Sequence, residues 1–301
     1  MKGGAVIKRI VEISSARTFL SVRYGQLVIK ENGNELSQIP CEDIGILLVD
    51  HPGTSYTHSV FTELLDKGAA IVLCGGNHHP AAMLLPLESN SEQGERFRKQ
   101  IEAKEPVKKR LWKQLVQAKI QHQAKVAGRD TETYAALMIL RQRVRSGDPS
   151  NVEAQASRKF WASYLQGIEF HRDVAGAPPN NLLNYGYTVM RAAVARALCS
   201  AGLLPCLGIH HCNRYNAFAL ADDVMEPFRG FVEARVKQIC EADGAPDELT
   251  QPLKARLLEV LYDPVTISGF QGPLMVALHR TAASLQRCFA GEQEQLELPE
   301  P

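Results

Sequence analysis

The stretch Ser89-Asn-Ser-Glu-Gln-Gly-Glu95 divides the chain into two parts with different hydrophobic patterns. It consists of small, polar and acidic residues, which is the composition of a connection between regular elements. Short alternating or apolar segments precede it, and long segments with helical periodicity follow it. The sequence therefore predicts an α+β protein, with a small β-rich N-terminal domain followed by an α-helical C-terminal domain.

The part before this stretch has the pattern of strands. Residues 44–49 and 69–73 are continuous apolar runs, as in buried strands, and a helix is predicted between them at residues 55–66. Further strands are predicted at residues 5–13, 19–22, 26–30 and 36–40. These elements form a predicted β-rich domain over residues 1–88.

The part after it is predicted to be helical almost throughout. A linker at residues 89–105 leads into an α-helical domain over residues 106–290, and an acidic tail follows at residues 291–301. Helices are predicted at residues 107–127, 131–145, 152–165, 182–200, 221–240, 251–261 and 272–290.

Composition excludes several classes of protein. The 301 residues are 45% hydrophobic and 22% charged, which is typical of a globular protein and not of a disordered, collagen-like or coiled-coil chain. No apolar run approaches the roughly 20 residues that span a bilayer, and Lys8 and Arg9 interrupt the segment where a signal peptide needs an apolar core. Seven cysteines without a Cys-x-x-Cys pair suit a reducing compartment. We expect a cytoplasmic protein without membrane association.

Charge is distributed unevenly along the chain. The formal net charge is +1, but residues 89–145 hold 14 Lys and Arg against 6 Asp and Glu, a net of +8. Such a segment is a candidate surface for a polyanion such as nucleic acid. The alternative interpretation is a solvated helix face.

The first candidate for chemistry is Glu153. Ser150-Asn-Val-Glu153 fits a capping box, in which the glutamate bonds back to the residue that begins the helix. Taken alone, this pattern favours a helix start over a catalytic residue. Small residues follow Glu153, however, and leave space around its carboxylate.

Two further candidates lie in the C-terminal half. His210 and His211 belong to a loop-like stretch rich in Gly and Asn, although paired histidines are often ordinary core or surface residues. Asp223 and Glu226 lie three residues apart and so on one face of a predicted helix. Acidic residues in a first turn are also ordinary partners of the helix dipole.

Together, these places suggest a metal site of two carboxylates and one imidazole. Oxygen and nitrogen ligands without thiolate suit Mg²⁺ or Mn²⁺, which bind phosphate oxygens and activate an attacking hydroxyl. With the basic segment as a nucleic-acid track, the residues alone predict a metal-dependent phosphodiester enzyme. A catalytically silent DNA-binding scaffold and a stand-alone repair nuclease are the alternatives.

Four motifs in a fixed order carry a resemblance to a known family. They are Asn151-Val-Glu153-Ala-Gln-Ala, Asn181-Leu-Leu-Asn-Tyr-Gly-Tyr187, Leu207-Gly-Ile-His-His211 and Leu220-Ala-Asp-Asp-Val-Met-Glu-Pro-Phe-Arg229. With these motifs the chain resembles the CRISPR-associated integrase of spacer acquisition (Cas one), in particular its type II branch, over roughly residues 5 to 285. The spacing from Glu153 to His211 and on to Glu226 agrees with the Glu, His, acidic order of that family.

The resemblance implies specific roles for residues. Glu153, His211 and Glu226 would be the catalytic residues and the ligands of Mg²⁺ or Mn²⁺, with Asp223 as a helper. His211 is chosen over His210 because the family motif is Gly-x-x-His, counted here from Gly208. The residues expected to contact DNA are Lys108, Lys109, Arg110, Arg214, Tyr215 and Arg229.

The resemblance also implies an activity and partners. The expected reaction is attack by the 3′-hydroxyl of a short captured double-stranded DNA on a phosphodiester at the boundary of a CRISPR repeat array, and with water instead the same site would be a nuclease. The β-rich domain would form a homodimer, and two such dimers would flank a dimer of a smaller adaptation protein (Cas two).

Overall fold

A computed structural model of the chain describes residues 8–75, 80–88, 90–165 and 170–300. Among these residues, the N-terminal part consists of strands, the α-helix α1 (His58–Asp66) and a 3-10 turn at Cys41–Asp43. The strands are β1 (Arg9–Ile13), β2 (Thr18–Arg23), β3 (Gln26–Glu31), β4 (Asn34–Pro40), β5 (Ile44–Val49), β6 (Ser55–Tyr56), β7 (Ala70–Cys74) and β8 (Pro80–Leu84). Of the strand predicted at residues 5–13, residues 5–7 lie outside the described residues.

The strands of the N-terminal part form two four-stranded sheets. One has the order β1-β5-β7-β8, in which β1, β5 and β7 are parallel and β8 is antiparallel, and the other has the order β4-β3-β2-β6. Every residue of β5 is buried. Ile46 and Leu48 belong to a core shared with the C-terminal helices, whereas Ile44 and Leu47 pack with residues of the second sheet and α1. The first sheet therefore joins the two parts of the molecule, which explains the continuous apolar run at its centre.

The C-terminal part is helical, as predicted. Its helices are α2 (Gln93–Ile101), α3 (Glu105–Ala127), α4 (Glu132–Arg143), α5 (Val152–Trp161), α6 (Asn180–Ser200), α7 (Ala219–Met225), α8 (Arg229–Asp243), α9 (Gln251–Leu258) and α10 (Leu274–Ala290). The predicted α+β fold class is confirmed. No helix among the described residues is long and apolar enough to cross a membrane.

Several elements differ from their predictions. Helix α2 lies within the segment predicted as a linker, and the helix predicted at residues 221–240 is divided by a 3-10 turn at Glu226–Phe228. Pro227 causes this division because it has no N–H to donate and its ring obstructs the preceding turn. A hairpin of β9 (Pro264–Ile267) and β10 (Phe270–Pro273) was not predicted.

A buried ion cluster lies between the two parts. Lys254 of α9 forms an ion pair with Asp50, which follows β5, and its Nζ is 3.9 Å from Oε1 of Glu12 in β1. Burial raises the pKa of Glu12 to about 7, although Lys254 opposes the rise. The ends of the parallel strands thus contact α9 through charged groups as well as through the apolar core.

The acidic tail is docked against the helices. The side-chain amide of Gln114 in α3 donates to the carbonyl of Glu294 at 3.0 Å and accepts from the N–H of Leu296 at 2.8 Å. Glu297 pairs with Arg280 and Arg287 of α10, each at 2.7 Å. Residue 301 lies outside the described residues. The tail therefore contributes to the structure of the helical part.

Candidate active site

Three elements bring the two predicted carboxylates together. Glu153 is in the first turn of α5, Glu226 begins the 3-10 turn after α7, and Lys119 lies in α3 between them. The ammonium of Lys119 donates a hydrogen bond to Oε1 of Glu153, and its Nζ is 2.6 Å from Oε2 of Glu226. The side chains of Lys119 and Glu226 are only 9% and 7% exposed. Glu153 and Glu226 therefore share one buried cation.

Arg229 is a second cation on Glu226. Its Nε donates to Oε1 of Glu226 at 3.0 Å, and its guanidinium lies 4.6 Å from the ring centroid of Tyr187. Burial raises the pKa of Glu226, but Arg229 and Lys119 reverse the effect and lower the pKa to about 2. Glu226 is therefore ionised at neutral pH. Glu153, Glu226, Lys119 and Arg229 form one group of charged side chains, the carboxylate cluster. Arg229, which was predicted to contact DNA, belongs to this cluster.

The start of α5 does not form the capping box suggested by the sequence. Asn151 is the N-cap residue, with φ 49°, and its side chain accepts from the N–H of Ala154. The carboxylate of Asp148 accepts from the N–H groups of Val152 and Glu153, both at 2.9 Å. Because these groups satisfy the first turn, the side chain of Glu153 is directed to Lys119 instead.

This arrangement gives a test of what begins α5. Asp148→Ala should lower the free energy of unfolding by about 1–2 kcal/mol, because two N–H groups of the first turn lose their acceptor. Ser150→Ala should change it by less than about 0.5 kcal/mol. Urea denaturation of both variants measures the difference. A larger effect for Ser150→Ala than for Asp148→Ala would support the capping box predicted from the sequence.

His211 is held by Asp223. Nδ1 of His211 is hydrogen-bonded to Oδ1 of Asp223, whose carboxylate also accepts from the N–H groups of Ile209 at 2.6 Å and His210 at 2.9 Å. The hydrogen bond to Asp223 raises the pKa of His211, although partial burial opposes the rise. With Nδ1 engaged, Nε2 is the ring nitrogen left to bind a ligand.

His210 has a different environment. Its ring stacks on Trp112 of α3, with centroids 4.2 Å apart and planes 3° from parallel, and His211 meets the same indole edge-on at 5.6 Å. Trp112 is itself buried. The ring of His210 therefore packs the loop onto α3, and His211 is the histidine whose ring is bonded to an acidic side chain.

Three of the other predicted DNA contacts line a cleft. A cavity of about 780 Å³ is lined by His211 together with Lys108, Arg214 and Tyr215. Its remaining lining residues are Gln100, Ile101, Cys206, Leu207, Gly208, Cys212, Asn213, Asn216, Ala217 and Phe289. Lys109 is exposed on α3, whereas Arg110 pairs with Glu294 of the tail at 3.5 Å. Of the predicted DNA contacts, Lys108, Arg214 and Tyr215 thus line the cleft, Arg229 lies beside Glu226, and Lys109 and Arg110 belong to neither place.

Asp222 fixes the loop at the mouth of this cleft. Its Oδ1 accepts from Nε of Arg191 at 2.7 Å, and its Oδ2 accepts from Nδ2 of Asn216 at 2.8 Å. The guanidinium of Arg214 lies over the ring of Tyr215, at 4.7 Å from its centroid. The two adjacent aspartates therefore have separate tasks, since Asp223 holds His211 and Asp222 holds the loop with Arg214 and Tyr215.

The donor set suits a hard divalent cation. Two carboxylates converge on one cationic atom, and a histidine on the neighbouring loop has Nε2 available, which are ligands that Mg²⁺ and Mn²⁺ accept. Across the described ranges, no three His, Cys, Asp or Glu side chains are close enough to hold a metal ion as they stand. The ammonium of Lys119 lies where Glu153 and Glu226 meet, so a metal ion there would take its place.

Two residues of this site, Lys119 and Trp112, belong to none of the motifs recognised in the sequence. Both belong to the buried stripe of α3, in which Leu115 and Val116 lie one turn from each of them. A lysine in an apolar stripe is a signal, since lysine is almost never buried without an acidic partner. The signal shows that partners exist but does not identify them.

Comparison with known proteins identifies the family. The sequence profile described as "CRISPR associated protein Cas1" matches residues 11–246. The CRISPR-associated endonuclease Cas1 of Neisseria meningitidis serogroup C is 35% identical over 284 residues, which are 93% of this chain and 92% of that protein. A Cas1 endonuclease of Pyrobaculum aerophilum is 26% identical over 277 residues, 87% of this chain and 93% of that protein. The chain belongs to the Cas1 family.

Solved structures share the fold. A casposase bound to its integration product superposes with a TM-score of 0.80 at 17% identity, covering 96% of this chain and 92% of that one. A Cas1 protein of Thermotoga maritima gives a TM-score of 0.77 at 15% identity, covering 94% of this chain and 97% of that one. These similarities extend over both the β-rich and the helical parts.

Proposed function

We propose that this protein is a metal-dependent DNA integrase and endonuclease, which inserts short captured DNA into a CRISPR repeat array. The observation that carries the proposal is the convergence of Glu153 and Glu226 on one cationic atom, in a member of the Cas1 family. A silent DNA-binding scaffold has no need of two carboxylates, one of them buried, that converge on one cation beside a histidine. The type II assignment stays a prediction.

The residues suited to hold Mg²⁺ or Mn²⁺ are Glu153, Glu226 and His211. When bound, the ion supplies a contact to the scissile phosphate and lowers the pKa of the attacking hydroxyl. In strand transfer, the 3′-oxygen of the captured DNA forms a bond to phosphorus and the 3′-oxygen of the repeat strand leaves with a proton. Attack by water on the same phosphorus gives hydrolysis.

The chain's other residues position these groups. Asp223 orients His211, and Arg229 holds the carboxylate of Glu226 in place. Lys108 and Arg214 provide positive charge along the cleft, where DNA phosphates would lie. Tyr215, a residue that is 79% exposed, offers a flat surface beside the strand.

The proposed partners are double-stranded DNA, a second copy of the chain bound through the β-rich part, and the small adaptation protein Cas2. One of the solved structures with this fold is a Cas6-RT-Cas1–Cas2 complex, at a TM-score of 0.78 and 17% identity. Sedimentation should give a dimer at micromolar concentration, and a monomer would contradict the proposed pairing. The proposed location is the cytoplasm.

Strand transfer tests the proposed function. The full chain, with its adaptation partner, is incubated with a labelled short duplex and a supercoiled plasmid that carries the repeat, in Mg²⁺, in Mn²⁺ or in EDTA. Label joined covalently to the plasmid only with metal supports an integrase. Cleavage without joining favours the repair nuclease, and DNA binding without either product favours the scaffold.

The salt dependence of DNA binding tests the basic surface of α3. Replacement of Lys108, Lys109 and Arg110 by Gln should flatten the plot of log affinity against log salt by up to about three units, since each lost phosphate contact removes about 0.9. Sequence preference should not change, because phosphate contacts carry no base information. Affinity is measured between roughly 50 and 200 mM salt.

A matched control comes from the same basic segment. Arg129, Arg143 and Arg145 are exposed and lie outside α3, and none of them lines the cleft, whereas the α3 set includes Lys108, which does. Their replacement by Gln removes the same charge and should leave the slope closer to the wild-type value. Parallel lines for the α3 variant and the wild type would remove α3 from the DNA path and support a solvated helix face.

A further inference from the structure

Lys119 has more than one acidic neighbour. Its ammonium contacts Glu153 and Glu226, and it also acts electrostatically on Glu233 of α8, which lies two helical turns beyond Glu226. Helices α3 and α8 approach closely here, since a Cβ at Gly230 would lie 2.6 Å from Cβ of His122, one turn along α3 from Lys119. Lys119 therefore has Glu233 as a third acidic neighbour, on a helix that packs against its own.

One carboxylate oxygen of Glu233 accepts no hydrogen bond from the described residues. Its side chain is fully buried, Oε1 accepts from the hydroxyl of Tyr187 at 2.8 Å, and Oε2 has no hydrogen-bond partner among the described residues. A buried acceptor left unpaired destabilises the folded state. Burial raises the pKa of Glu233 to about 7, while Tyr187 and Lys119 oppose the rise. A cation placed against Oε2 would satisfy the group.

We propose that the side chain of Lys119 adopts two positions. In the metal-free protein its ammonium bridges Glu153 and Glu226, and when a divalent ion binds, the ammonium moves to Oε2 of Glu233. The inference rests on the proposed function, because it assigns the metal to that same site. In the first position Lys119 keeps the half-buried carboxylate of Glu153 and the buried carboxylate of Glu226 together without metal. In the second position the two carboxylates are free to bind the ion, and Lys119 pairs with Glu233.

The physical consequence is a competition that weakens metal binding. A divalent ion and an ammonium within a few ångströms repel strongly in a poorly solvated site, so Lys119 must leave before the ion enters. Removing the ammonium should therefore tighten metal binding. It should also destabilise the metal-free protein, since two carboxylates lose a buried partner.

The test is Mn²⁺ binding to the full chain, measured by calorimetry on wild type and Lys119→Met, whose side chain is unbranched and uncharged. We expect the dissociation constant of Lys119→Met to fall by about tenfold or more. Its thermal midpoint should be lower than that of wild type without metal, and Mn²⁺ should raise it by more than it raises the wild-type midpoint. An unchanged or weaker affinity in Lys119→Met overturns the proposal. Lys119→Gln serves where the Met variant does not fold.

Glu233→Gln tests the second position. In the wild-type background it should weaken Mn²⁺ binding by about threefold or more, because the displaced ammonium loses an anionic partner. In the Lys119→Met background it should have no effect. The same weakening in both backgrounds would show that Glu233 does not act through Lys119, and it overturns the second position.

Glu153→Gln and Glu226→Gln separate this inference from the function it rests on. If both variants weaken Mn²⁺ binding but Lys119→Met leaves it unchanged, the proposed role of Lys119 is wrong and the metal site stands. Mn²⁺ binding that neither variant affects contradicts the metal site, and with it both proposals.

Discussion

Glu153→Gln and Glu226→Gln are each expected to reduce metal-dependent strand transfer by about a thousandfold or more, which corresponds to several kcal/mol of lost transition-state stabilisation by the metal. Both replacements keep the shape of the side chain and remove one anionic ligand. The rate is measured as labelled duplex joined to plasmid, at saturating DNA and metal.

Alanine variants should lose activity as well, with a different effect on stability. Glu226→Ala leaves Lys119 and Arg229 as buried cations that have lost a partner, which costs about 3–5 kcal/mol when a buried pair is broken. Glu153→Ala is milder, because Asp148 and Asn151 still cap α5. The free energies of unfolding of the two variants therefore show how much of the lost activity comes from a destabilised fold and how much from the missing carboxylate.

A suitable control is Glu259→Gln. Glu259 also forms an ion pair with an arginine, Arg235 at 3.2 Å, but its side chain is 65% exposed and it lies outside the carboxylate cluster. This variant should retain wild-type strand transfer. Glu153→Gln with a wild-type rate would contradict the site assignment.

Local patterns in the sequence predicted most of the fold. The apolar run at residues 44–49 predicts a strand with both faces covered, and β5 is buried at every position. The change of period after residue 95 predicts the helical part. These predictions succeed because the pattern of a segment reflects which of its faces the fold buries.

Elements defined by distant contacts could not be predicted in the same way. Helix α2 has mostly polar residues, and it is held partly by Gln100, whose amide bonds both the N–H and the carbonyl of Leu204. The hairpin at residues 264–273 is short and has a proline at each end. Neither segment has a periodicity that stands out before its partner is known.

The candidate site shows the same limit. Glu153, His211 and Glu226 were singled out by residue type and by motif, whereas Lys119 belongs to none of those motifs. Its role follows from the packing of α3 against α5 and against the 3-10 turn at Glu226–Phe228, which places an ammonium between two carboxylates 34 residues and more away in sequence. Motifs identify groups able to do chemistry, and packing determines which charges face each other.

Asp223→Ala is expected to reduce strand transfer by about 10–100-fold at saturating DNA, because residues that orient a metal ligand have effects of this size. Asp223 is fully buried, and its carboxylate bonds the ring of His211 as well as backbone N–H groups of the loop. Its loss should also lower the free energy of unfolding by about 1–3 kcal/mol, because those buried donors lose their acceptor.

Asp222→Ala is the matched control, since the neighbouring aspartate holds Arg191 and Asn216 but does not contact His211. Loosening the loop that carries Arg214 and Tyr215 should weaken DNA binding, because the residues that position the strand lose their anchor. The rate at saturating DNA should change little. Titration of DNA in the strand-transfer assay separates the two variants, with a lower maximal rate for Asp223→Ala and a higher half-saturating DNA concentration for Asp222→Ala. The reverse result would mean that the loop, rather than the orientation of His211, limits the reaction.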